Sequence, residues 1–199
     1  MKKALLLVVL VLALPTAVFA GSSVDFSNSG GTLSGSNSGL TLSGSVLFSV
    51  NYAGGLVTGA DLGSVSFTTG ALTSGSLQMG GTFGGGGSFT ITGNGLDGLP
   101  SGTLFSGTFS GPVTWTLVTL ANGTHNYTLT GTLSGTLVGV ATQGVTVQLT
   151  INTGKGFFNG SAIISSGNTS ATVPEPGSLS LMGTGLIGLA GMVRRKLKA

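Results

Sequence analysis

Between its two ends the chain offers few side chains that can move protons or hold metals: Asp25, Asp61, Asp97, His125 and Lys155. General acid–base catalysis by two carboxylates requires two of the aspartates to converge. They are scattered across separate loops, and nothing in their spacing brings them together. His125 is the single histidine, inside an Ala121–Asn126 loop with no acidic neighbour. One imidazole does not build a metal site, so His125 reads as a solvated loop residue. Calcium asks for clustered oxygens of the D-x-D-x-D kind, and the sequence has no such cluster. These residues predict no catalytic site, no metal and no cofactor, hence not an enzyme.

Two further patterns invite a functional reading. Gly93-Asn-Gly95-Leu-Asp-Gly98 matches G-x-G-x-x-G, yet Pro100, Gly102 and β-type residues follow it. A pyrophosphate needs a helix N-terminus at that point, so the segment reads as a turn. Thr-x-Thr recurs at Thr90–Thr92, Thr114–Thr116 and Thr128–Thr130. On a strand, residues i and i+2 share a face, so each pair presents two hydroxyls and two methyls side by side. A flat row of such pairs can bind ice or a polysaccharide. The same residues are also what the solvent face of any β-sheet favours.

The elements that carry these residues are strands. Residues 21–165 are dominated by Gly, Ser, Thr, Val, Leu and Phe, and the whole chain has 38 glycines and no cysteine. Alternating runs recur at 40–52, 64–69, 88–92, 113–120, 127–140, 145–151 and 156–165. In Val145-Thr-Val-Gln-Leu-Thr-Ile151 the period of two sends one row to a core and the Thr/Gln row to water. Asn122-Gly123 and Asn152-Thr-Gly154 supply turn chemistry. The stretch from Val113 to Ser165 reads as four consecutive antiparallel strands. The expected fold is an all-β, antiparallel β-sandwich, jelly roll or open barrel. Glycine density from Asn28 to Ser45 and from Gly80 to Ser88 predicts flexible edges or loops there. Residues 166–172, with Gly167-Asn-Thr-Ser170, read as a linker.

The net charge of +3 misdescribes this body. Six of the seven basic residues lie at the chain's ends, at Lys2, Lys3, Arg194, Arg195, Lys196 and Lys198. Residues 21–173 keep Lys155 against three aspartates, one cation against three carboxylates, a balance of −2. There is no basic stripe, which excludes binding of nucleic acid through phosphate neutralisation.

The ends read as addresses. Lys2-Lys3, the apolar stretch from Ala4 to Leu14, Pro15 and Val18-Phe-Ala20 have the layout of a secretory signal peptide, residues 1–20, cleaved after Ala20. That implies signal peptidase and the export machinery as partners. At the other end, residues 173–199 hold Val173-Pro174-Glu175-Pro176, an apolar run from Leu179 to Val193, and the cluster Arg194, Arg195, Lys196 and Lys198. At about 1.5 Å per residue the run extends ~23 Å as a helix, short of the ~30 Å hydrocarbon core. Snorkelling arginines and local thinning make up the difference, and the cations stop transfer on the cytoplasmic side.

Together these three elements resemble the PEP-CTERM sorting signal of exported proteins in Gram-negative bacteria that carry an exosortase. The resemblance covers Val173 to Lys198 and nothing else in the chain. It implies that exosortase recognises Pro174-Glu175-Pro176 and processes the protein there, after a transient stay in the inner membrane. The product would then belong to the cell surface or an exopolysaccharide matrix, in a structural or interaction role. A Thr-rich face binding ice or polysaccharide is the alternative. The same tail motif is sometimes labelled an ice-binding protein C-terminal domain, a label that describes the tail alone.

Overall fold

The computed structural model describes residues 23–172. The strands are β1 (Ser23–Ser29), β2 (Thr32–Ser36), β3 (Gly39–Tyr52), β4 (Gly55–Thr68), β5 (Leu72–Ser76), β6 (Gly80–Phe83), β7 (Gly86–Asn94), β8 (Ser101–Phe109), β9 (Val113–Thr119), β10 (His125–Leu137), β11 (Val140–Asn152), β12 (Ser161–Ile163) and β13 (Ser166–Thr172). Eight of them close an antiparallel barrel in the circuit β1-β3-β4-β7-β8-β10-β11-β13 and back to β1. The all-β, antiparallel expectation holds, and of a sandwich, a jelly roll or an open barrel the body comes nearest the last, as a barrel closed on itself. Closure removes the edges that an open sheet would leave unpaired. Register shifts at Ser27/Asn28 in β1 and Leu133/Ser134 in β10 add the local bend and twist that closure requires.

Alternation fills the interior. In β11, Val145, Val147, Leu149 and Ile151 are buried while Thr146 and Gln148 are exposed, as their period predicts. Phe67, Phe89, Phe105 and Phe109 meet inside, with Phe67 stacked on Phe89 at 5.7 Å and Phe109 edge-on to both. Such pairs add about 0.5–1.5 kcal/mol each beyond the area they bury. Where β8 crosses β10, Gly107 stands opposite Gly135. A Cβ at Gly135 would collide with the Ser106 carbonyl, and one at Gly107 with the Ser134 carbonyl. Both positions therefore require glycine for close backbone approach.

Five strands lie off the circuit and gather at one end, here called the far end. The first half of β10 leaves β8 and pairs with β9, which carries β6 and then β5. The first residues of β3 pair with β2, which takes up β12. Between these extensions lies a second core. Trp115 stacks on Tyr127 at 5.0 Å and meets Phe158 at 5.4 Å, and all three are buried. Trp115 Nε1 donates to the Leu77 carbonyl (2.9 Å), Tyr127 Oη donates to the Gln78 carbonyl (2.6 Å), and the Phe158 amide donates to Tyr127 Oη (3.1 Å).

Four expectations are corrected. Residues 166–172 are not a linker: β13 is a stave bonded to both β1 and β11. Its inward row is Gly167, Thr169 and Ala171, buried without a large apolar side chain. The glycine-dense stretches 28–45 and 80–88 are not loose, since they form β2, the first half of β3, β6 and the start of β7. At Gly31 and Gly87 a Cβ would collide with the backbone of Ser45 and of Thr68, so there the close approach of a neighbouring strand requires glycine. Val113 to Ser165 does hold four strands in succession, β9 to β12, but the antiparallel series stops at β11, because β12 pairs with β2. Finally, His125 is not a solvated loop residue. It opens β10, is buried, and stacks on Phe157 with ring centres 4.3 Å apart.

Candidate functional site

The groups capable of chemistry are divided between the two ends of the barrel. His125 opens β10 and Lys155 follows β11, both at the far end. His125 Nδ1 lies 3.2 Å from the Gly156 carbonyl, a contact that places the proton on Nδ1 if the ring donates. Of the aspartates expected in loops, Asp97 is in one, between β7 and β8, whereas Asp25 stands near the start of β1 and Asp61 within β4; all three belong to the opposite end. Asp61 Oδ1 accepts from the Gly63 amide at 3.1 Å, which caps a local turn. Asp97 sits at φ +53°, a conformation Asp tolerates in turns, so the G-x-G-x-x-G segment is a hairpin loop as expected. Among the described residues no three of His, Asp and Glu come together as a metal site.

The threonines do come together. Two of the Thr-x-Thr pairs lie side by side on the outer face, with Thr114 opposite Thr130 and Thr116 opposite Thr128. The first row continues in register across five strands as Thr82, Thr114, Thr130, Gln148 and Asn168. A neighbouring row runs Thr132, Thr146, Ser170. Cross-strand spacing of ~4.7–4.9 Å puts each hydroxyl or amide within reach of the next. A groove of about 460 Å³ follows this face, lined by Thr114, Thr130, Thr132, Thr146, Gln148 and Asn168 with Pro112, Gly131 and Val147. The third pair, Thr90 and Thr92, is separate: Thr92 bonds Ser64 at 2.8 Å over β4 and β7. The sequence showed the pairs, but the amides Gln148 and Asn168 join the row only through strand register.

The expected signal-peptide cut after Ala20 and the tail residues Val173, Pro174, Glu175, Pro176, Arg194, Arg195, Lys196 and Lys198 lie outside the described residues. Among the described residues no helix is long and apolar enough to cross a membrane. The barrel's last stave ends at Thr172, where the tail begins. The PEP-CTERM protein-sorting motif matches residues 172–196. Neither the curated proteins nor the solved structures give a match to this chain. The motif is the class-defining feature: it marks a protein sorted for export to the envelope or surface of a Gram-negative bacterium, with exosortase as processing partner.

Proposed function

We propose that the chain is an exosortase-processed surface or matrix protein whose barrel acts as a non-catalytic structural or interaction module. The observation that carries this is the abutment of a closed barrel ending at Thr172 and a sorting motif starting at the same residue. Export removes residues 1–20. The run 179–193 then holds the precursor in the inner membrane, with Arg194, Arg195, Lys196 and Lys198 kept on the cytoplasmic side. Exosortase acts at Pro174-Glu175-Pro176, and the barrel leaves intact. Separation of Asp25, Asp61 and Asp97 from His125 and Lys155 supports the non-catalytic reading. The test is cell fractionation in hosts with and without exosortase. The protein is expected at the surface only with the enzyme, and Glu175→Ala with Pro176→Ala is expected to trap it in the inner membrane. Equal surface delivery in all cases would contradict the reading.

The row Thr82–Thr114–Thr130–Gln148–Asn168 favours a second reading, in which this face binds a neutral polysaccharide of the matrix. A groove mixing amides with hydroxyls suits sugar hydroxyls better than the flat methyl-and-hydroxyl array that ice would need. Retention of the protein on isolated exopolysaccharide should then fall on Gln148→Ala with Thr130→Val. Unchanged retention, or none in the parent, would remove it.

A further inference from the structure

The end of the barrel opposite the second core carries three hairpin turns and both ends of the described chain. β3 turns into β4 after Tyr52, β7 into β8 through Gly95–Pro100, and β10 into β11 through Val138-Gly139. Ser23 opposes Thr172 beside them. Each turn exposes apolar side chains: Tyr52 and Leu56 (66 % exposed) on the first, Leu96 (56 %) on the second, Val138 (62 %) and Val140 on the third.

Val138 is the telling residue. It lies at φ +46° and Gly139 at φ +81°, the two positive angles of a tight two-residue hairpin turn. Such turns take Asn, Asp or Gly at the first position, because a β-branched side chain there is strained. The far-end connection between β9 and β10 is a longer loop in which the positive angle falls on a glycine, Gly123 at φ +78°, and Asn122 Oδ1 accepts from the Thr124 amide at 3.0 Å. At Val138 a strained, exposed, apolar residue stands where a polar one would relieve the backbone. Strain kept at an exposed tip points to a use for the apolar side chain.

The chain itself indicates what that use is. Residues 173–178 separate β13 from the apolar run beginning at Leu179. Fully extended at ~3.5 Å per residue, they reach about 20 Å. While the tail is in the bilayer, this connection keeps the rim's Thr172 corner within about 20 Å of the membrane surface. We infer that the rim is a lipid-docking surface, whose tips Tyr52, Leu56, Leu96, Val138 and Val140 enter the interfacial layer of the inner membrane while the tail tethers the protein. The inference rests on the anchoring of the tail proposed above. Asp97 beside Leu96, and Asp25 and Asp61 in the same half, oppose docking on an anionic surface. Docking therefore depends on the high local concentration that the tether supplies. Once exosortase cuts the tether, the acidic rim lets go, and processing releases the barrel as well as the tail.

Exposed apolar residues at the far end, among them Met79 (67 %) and Val118, have no tether beside them and provide the control. Because the chain has no cysteine, single cysteines can be placed at will. Full-length Leu96→Cys, Val138→Cys and Met79→Cys proteins, each carrying an environment-sensitive dye, are reconstituted into phosphatidylethanolamine vesicles with one-fifth phosphatidylglycerol. Flotation is measured first, then quenching by lipid-borne spin labels. The expected result is flotation of all three, with the dyes at 96 and 138 quenched at least threefold more than the dye at 79. Failure to float overturns the anchoring reading and this inference with it. Flotation with equal quenching at the three positions overturns the inference alone. Dyes at 96 and 138 that shift without lipid quenching mean that a second copy covers the rim, which also overturns it.

Discussion

At the far end of the barrel, β9, β6 and β5 on one side and β2 with β12 on the other carry the sheet past the staves and bury Trp115, Tyr127 and Phe158 between them. At the rim there is no such extension: the staves stop in turns, and Leu56, Leu96 and Val138 face outward. The far end meets its polar obligations internally. Indole, phenol and amide each find a carbonyl or hydroxyl partner, and Asn122 tightens its turn in the standard way. The rim instead holds Val138 in a conformation that a β-branched residue resists. The contrast separates what stabilises this protein from what its sorting route asks of it. Stability resides in two aromatic cores, while the end next to the sorting tail is built at some expense to local backbone comfort.

The largest effect should come from breaking the far end. Trp115→Ala removes the centre of the second core and leaves the Leu77 carbonyl without its donor. Urea denaturation should show a loss of about 3–5 kcal/mol. Tyr127→Phe keeps the packing but removes an oxygen that both donates to the Gln78 carbonyl and accepts from the Phe158 amide. It should lose about 1–3 kcal/mol in the same assay, because the buried Phe158 amide becomes unpaired and the part-buried Gln78 carbonyl loses its donor. At the rim the sign reverses. Val138→Asn places a residue suited to positive φ at the turn, and should raise stability by about 1 kcal/mol, seen as a higher thermal midpoint. Leu96→Ser, at an exposed tip, should leave stability within about 0.5 kcal/mol. If Val138→Asn were destabilising, the distinction between the two ends would fail.

Some of this was legible in the sequence. The period-two run Val145 to Ile151 predicts a half-buried strand, and β11 is one, with the expected face inward. The 40–52 run is β3 almost residue for residue. Asn122-Gly123 and the Gly93–Gly98 segment are turns as read. The sorting motif was legible because it is local, with its three parts contiguous. Barrel closure was not, because it pairs the first stave with the last, and no local pattern records that. Nor does β13 announce itself. Its inward row is Gly167, Thr169 and Ala171, and at Gly167 the space is taken by Asn28 of β1: a Cβ there would fall 2.5 Å from Asn28 Oδ1. Asn28 is itself buried and donates to Ser45 Oγ at 2.7 Å. A polar residue occupies the place where a large apolar one would have marked the strand. His125 was misplaced by the turn beside it, since the Asn122-Gly123 loop ends at Thr124 and β10 begins one residue later.

The correction at β13 sharpens the sorting account. A linker at 166–172 would have allowed processing anywhere along it, but a stave cannot be cut without opening the barrel. The direct measurement is the mass of the mature protein's C-terminus, from a host with exosortase and from the same host without it. The account predicts an end between Val173 and Ser178 when the enzyme is present, with β13 whole, and Ala199 when it is absent. An end inside Ser166–Thr172, or the same end in both hosts, would contradict it.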